Sequence, residues 1–109
     1  MSTSGTIAVD LDGTLARYDG WKGIDHIGDP IPLMVSRVRK WLNDGVRVVI
    51  FTARAQTPES LPYIYAWCKE HLGVVLPVTN IKTFDIVEIW DDRAVQVIPN
   101  KGTRADGGA

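Results

Sequence analysis

Apolar residues in this chain gather in short dense runs, set apart by stretches punctuated with Gly, Pro, Asn and Asp. Thr6 to Leu11 and Val46 to Phe51 (VRVVIF) are two such runs, rich in the β-branched residues that suit strands buried on both faces. Val74 to Val78 is a weaker third, interrupted by Pro77, which fits a short strand near a sheet edge. Ile86 to Trp90 (IVEIW) reads as a fourth, and Ala94 to Ile98 (AVQVI), alternating and stopped by Pro99, as a fifth.

Helical spacing fills the gaps between the first three. From Pro32 to Asn43 the residues Leu33, Met34, Val38, Trp41 and Leu42 recur on one face, with Arg37, Arg39 and Lys40 left for solvent, and Asn43-Asp44-Gly45 supplies a stop. Thr57-Pro58-Glu59 predicts the opening of a second helix with Thr57 as N-cap; Leu61, Ile64, Tyr65, Cys68 and Leu72 form its stripe, and Gly73 ends it. Strand, helix, strand, helix, strand predicts an α/β fold with a mostly parallel sheet flanked by helices. The next connection, near Lys82 to Asp85, leaves room for one helical turn at most.

Composition narrows the partners. A chain of 109 residues with 45% hydrophobic content matches one small domain, expected over 1–100, with 101–109, rich in Gly and small residues, as a flexible tail. A formal charge of -1 and a pI near 6.0 remove any broad basic field for nucleic acid or anionic membrane. Cys68, the lone cysteine, has no partner for an internal bridge and reads as packing. Met1 to Gly5 is short and polar, and no run approaches the roughly 20 apolar residues of a membrane span, so a cytoplasmic protein is expected.

Polar residues terminate the best strands: Asp10 follows Val9, Thr52 follows Phe51, and Asp91-Asp92 follows Trp90. In open α/β sheets ligands bind beyond the carboxyl ends of the strands, so one crevice is expected to collect all of them, with Lys82 reaching the same edge. Placing Asp10 and Asp12 so close together is expected to be electrostatically unfavourable, a cost that some partner must offset. With Asp91 and Asp92 they form a carboxylate group that calls for a hard divalent cation, and Mg²⁺ is the usual occupant where oxygen ligands meet phosphate. Asp10 is the candidate nucleophile toward phosphorus, and Asp12 the acid and base for the leaving oxygen and the attacking water. Gly13 permits a sharp turn that brings amide N–H groups near phosphoryl oxygens, Thr52 offers a hydroxyl donor, and Lys82 a positive charge.

Those residues, in that order, carry a family likeness. Asp10-Leu11-Asp12-Gly13-Thr14-Leu15 resembles the first motif of the haloacid dehalogenase superfamily, Thr52 in Phe51-Thr52-Ala53-Arg54 its second, Lys82 its third and Asp91-Asp92 its fourth. The resemblance spans about residues 6 to 98 and implies a Rossmann-like core and Mg²⁺-dependent phosphoryl transfer, most often phosphatase activity through an aspartyl-phosphate. It also implies that Asp10 ligates the metal by its side chain, Asp12 by its backbone carbonyl, and one of Asp91 and Asp92 directly. Asp at position 12 is similar to the phosphatase and phosphomutase branches. Gly13, Thr14 and Arg54 are then candidate substrate-binding residues, and Arg54 and Arg93 look similar to the phosphatase half of polynucleotide kinase-phosphatases.

The chain has no insertion large enough for a cap domain. Capless relatives of this kind act on macromolecular phosphates or form oligomers, so the expected partner is a phosphorylated small molecule or a nucleic-acid or nucleotide phosphate end, with no membrane partner and a possible homo-oligomer. Arg17 to Ile31 is long for a loop in so small a domain, and its Tyr18, Trp21 and Lys22 can grip a substrate or simply pack over the sheet edge. The competing readings are a receiver-like phospho-accepting domain and a catalytically inactive phosphate-binding module. Receiver domains place the acidic pair early and the phosphorylated Asp on a middle strand, whereas Asp91-Asp92 comes late.

Overall fold

The structure, a computed structural model, describes residues 5–108. Four strands, β1 (Thr6–Val9), β2 (Arg47–Phe51), β3 (Val78–Thr79) and β4 (Ile86–Trp90), form one sheet in the order β3-β2-β1-β4, with every pairing parallel. Two helices, α1 (Pro32–Asn43) and α2 (Leu61–Leu72), make the crossovers between the first three strands. The α/β architecture with a parallel sheet and a Rossmann-like core is therefore as the sequence pattern predicts.

One core lies between the helices and the sheet. Ile7 and Val9 of β1 and Val48 and Ile50 of β2 alternate onto the face that meets Met34 and Val38 of α1 and Ile64, Trp67, Cys68 and Leu72 of α2. Period-two strands and period-3.6 helices thus meet on their apolar sides. Trp41 and Trp90 pack against this core, and Cys68 is fully buried, which pushes its thiol pKa up. Leu33, expected on the apolar face of α1, points outward and is exposed.

Proline sets two boundaries that differ from expectation. The second helix does not open at Thr57, whose side chain makes no capping bond; a 3₁₀ turn, Pro58–Ser60, precedes it and α2 starts at Leu61. A ladder begun at Pro58 would need an N–H from Pro62, which has none, whereas a start at Leu61 places Pro62 in the first turn, where no donor is required. Gly73, with φ of 80°, closes α2 as expected. The third strand shrinks to Val78–Thr79, because Pro77 cannot donate; its carbonyl still accepts from the Ile50 N–H at 2.8 Å.

The connection from β3 to β4 is short for a geometric reason. It must cross three strand spacings and descend about four residues, roughly 20 Å, within a reach of about 24 Å for seven residue steps. Nothing remains for a helix. Its last residue, Asp85, is tied to β1 by the Thr6 hydroxyl at 2.7 Å and the Thr6 N–H at 2.8 Å. The fifth strand is a correction: Ala94–Ile98 joins no sheet. Gln96 and Ile98 pair instead with Ala105 and Thr103, each at 2.8 Å, because Pro99, Asn100 (φ of 65°) and Gly102 turn the chain back on itself at once. Thr103 and Ala105 of the expected tail thus fold onto the segment before them.

Candidate functional site

β1 and β4 are neighbours in a parallel sheet, so the residues that follow them leave the same edge together. Asp10 continues that pairing, its N–H donating to the Trp90 carbonyl at 2.9 Å. One carboxylate oxygen from each of Asp10, Asp91 and Asp92 then lies within 4.8 Å of the others. Burial, the Asp91 charge and the nearby Asp92 raise the Asp10 pKa from 3.8 to about 7, against a lowering hydrogen bond from the Leu11 N–H. The donor set is all oxygen and its repulsion is relieved by no cationic side chain within the group, which fits a hard divalent ion.

The glycine and threonine of the first loop serve this cluster. Thr14 Oγ1 donates to Asp92 Oδ1 at 2.9 Å and accepts the Asp92 N–H at 3.0 Å. Gly13 has φ of 90°, and a Cβ there would stand 2.6 Å from Asp92 Oδ2. Its N–H is committed to the Ala16 carbonyl at 2.8 Å. Both residues are expected against a substrate; in the structure the Thr14 hydroxyl is engaged with Asp92, and Gly13 leaves the room that the Asp92 carboxylate occupies while its own N–H goes to Ala16. Asp91 accepts the Arg93 N–H at 2.8 Å, which fixes the turn after β4.

Asp12 leaves the carboxylate group, contrary to the expectation of four acids in one crevice. Its Oδ2 accepts from Arg54 Nε at 2.7 Å and its Oδ1 from Arg54 Nη2 at 3.0 Å, a two-point pair that draws the side chain away from Asp91 and Asp92. Only its backbone carbonyl is left for the metal role that the resemblance implies. Arg54 is nearly buried, 5% exposed at its side chain, and also donates to the carbonyls of His26 at 2.9 Å and Ile24 at 3.4 Å. It holds Asp12 and the 17–31 loop, and has little left to offer a substrate.

Local sequence explains how Arg54 arrives there. Thr52 caps the 3₁₀ turn Ala53–Gln56 by accepting the Arg54 N–H at 3.1 Å, which leaves the hydroxyl proton free to donate. Ser60, fully buried and unnoticed in the sequence, hydrogen-bonds the Arg54 carbonyl at 2.6 Å. The long loop is closed at its neck by Arg17 N–H to Asp29 O and Ile31 N–H to Leu15 O, both 2.8 Å, and Trp67 Nε1 holds Gly28 O at 2.9 Å. Trp21 lies over the Arg54 guanidinium, 4.9 Å from carbon to ring centroid.

A cavity of about 370 Å³ opens where these parts meet, lined by Asp10, Asp12, Thr52, Asp92, Tyr18 and Trp21 among others. Lys82 is not on it. The descending β3–β4 connection carries this residue to a second cleft, whose lining also includes Asp91. His71 meets Trp67 at a tilt of 57° with ring centroids 4.7 Å apart and lies in the last turn of α2, where a cation suits the helix dipole; His26 enters by its carbonyl.

No family model and no curated protein matches this chain. A solved structure of a conserved protein from Bacteroides thetaiotaomicron is similar at 25% identity and a TM-score of 0.67, over 90% of this chain and 84% of its own. That likeness supports the fold and carries no activity. Among the described residues, no helix is long and apolar enough to cross a membrane.

Proposed function

We propose that this chain is a Mg²⁺-dependent phosphomonoester hydrolase of the haloacid dehalogenase type, acting through an aspartyl-phosphate on Asp10. The observation that carries the reading is the meeting of Asp10 with Asp91 and Asp92 beside a cavity that Thr52 and an arginine-clamped Asp12 also line. Asp10, the Asp91-Asp92 pair and the Asp12 carbonyl would hold the metal, which supplies positive charge against the phosphoryl oxygens and keeps Asp10 ionised.

Asp10 attacks phosphorus as the bond to the leaving oxygen breaks. Asp12 enters this step carrying a proton at a lone-pair position not used by Arg54, gives it to the leaving oxygen and is left as the carboxylate, and Thr52 donates its free hydroxyl proton in a hydrogen bond to the transferred group. Water then attacks the same phosphorus while Asp12 takes its proton, the Asp10–phosphorus bond breaks, and inorganic phosphate leaves. Arg54 keeps Asp12 in place through both steps.

The test is release of phosphate from p-nitrophenyl phosphate with Mg²⁺, and its loss in Asp10→Asn. A phosphorylated Asp10 that persists for minutes would instead favour the receiver-like reading. Lack of turnover across phosphate esters despite metal binding would favour the inactive module.

A further inference from the structure

Elsewhere in this chain tryptophan is spent on the core: Trp67 is buried, and Trp41 and Trp90 meet ring to ring at 5.2 Å against the same packing. Trp21 departs from that use. It is 58% exposed, and it borders the cavity that Asp10 and Thr52 also border, as does Tyr18, which is 46% exposed. An indole that served only to cover the sheet edge would be buried by what it covers.

Trp21 is nevertheless held. Its ring lies on the Arg54 guanidinium, and that group is fixed by Asp12 and by the carbonyls of Ile24 and His26, so a cation braces one side of the ring. A flat group settling on a ring already oriented loses little further freedom in the partner, which is where aromatic platforms gain affinity. Cavity size agrees with a small ligand, since about 370 Å³ falls within the range of roughly 300–1,000 Å³ of small-molecule sites. A formal charge of -1 offers no attraction to a long phosphodiester chain, so a single nucleotide or aryl phosphate fits better than a polymer.

We infer that Trp21, with Tyr18, is the platform on which the leaving group stacks, and that the preferred substrates are phosphate monoesters bearing a planar ring, not alkyl phosphates. The inference rests on the phosphatase reading and names the substrate class of that site. Trp21 and Tyr18 act on specificity; the phosphoryl chemistry stays with Asp10 and Asp12.

The experiment compares kcat/KM for adenosine monophosphate and glycerol 2-phosphate, with Mg²⁺, in the wild type, Trp21→Ala and Trp21→Phe. The wild type is expected to favour the nucleotide by about tenfold or more, a ratio that falls toward one in Trp21→Ala and returns for the most part in Trp21→Phe. If Trp21 merely braces Arg54, both esters lose the same factor and the ratio holds. That result, or equal turnover of the two esters by the wild type, overturns the inference while leaving the hydrolase intact.

A second measurement separates the two readings. Calorimetry of Asp10→Asn with adenosine monophosphate, with inorganic phosphate as reference, reads the platform without turnover. Nucleotide binding that weakens about tenfold on adding Trp21→Ala supports the platform even if no ester is hydrolysed. Binding no tighter than that of phosphate overturns it.

Discussion

Asp10 and Asp12 stand two residues apart and occupy opposite halves of one site. Asp10 faces two more acids in a half-buried pocket, and its pKa rises to about 7. Asp12 faces a nearly buried guanidinium that meets both of its oxygens. The alternation of a strand end sends successive odd and even side chains to different sides, so a spacing of two would be expected to keep the pair together. The strand ends at Val9, the chain turns from Leu11, and Arg54 draws the Asp12 carboxylate to itself, which divides them. One half is left short of positive charge and the other is supplied with it from within the chain, which is what the proposed mechanism asks of a nucleophile held by a metal beside an acid and base whose carboxylate stays off that metal.

The contrast can be broken at either end. Asp10→Asn should cost at least about 10³-fold in hydrolysis of p-nitrophenyl phosphate, since the group proposed to bond to phosphorus is gone. Arg54→Ala should instead act first on stability: it strands Asp12 and frees the Ile24 and His26 carbonyls, at a cost of about 3 kcal/mol by urea unfolding. A variant at Arg54 that unfolds like the wild type would sink the description of that half.

A pH series sharpens the other half. In the metal-free fold Asp10 keeps a proton that the unfolded chain releases near 3.8, so stability at this group is lost as pH rises toward about 7 and the loss is complete above it. Asparagine at position 10 carries no such penalty. Without metal, Asp10→Asn should therefore gain on the wild type from about pH 4 to about pH 7 and hold that gain above, and Mg²⁺ should reverse the order. A gap that does not change with pH would deny the acid cluster. The smallest expected effect is at Thr14→Val, which removes the hydroxyl that pins Asp92: about 1 kcal/mol in unfolding and about tenfold in Mg²⁺ affinity by calorimetry.

Much of this was legible in the chain itself. The strand starts at Thr6 and Ile86, the second strand to within one residue (Val46 expected, Arg47 found), the helix at Pro32–Asn43 and the Gly73 stop follow from local pattern, and Asp10, Asp91 and Asp92 follow from strand ends. What pattern could not supply is competition among partners. Thr14 has one proton, and Asp92, 78 positions away, takes it. Arg54 reads as a substrate ligand until Asp12 and two loop carbonyls use its donors. Lys82 reads as part of the crevice until the span from Thr79 to Ile86 leaves its connection no slack. The Ala94–Ile98 alternation pairs with the nearest strand-like segment, at Thr103 to Ala105, instead of extending the sheet.

The central strand has its second neighbour at the far end of the chain: Thr6 pairs with Ile86, and its hydroxyl reaches Asp85 across 79 positions. Closing a loop of that length is slow compared with forming helices or the adjacent β1–β2 pair. During synthesis Asp10 and Asp12 emerge long before Asp91 and Asp92 exist. The acid cluster is thereby completed only when the last strand docks, so any metal that it holds comes after folding and not before it.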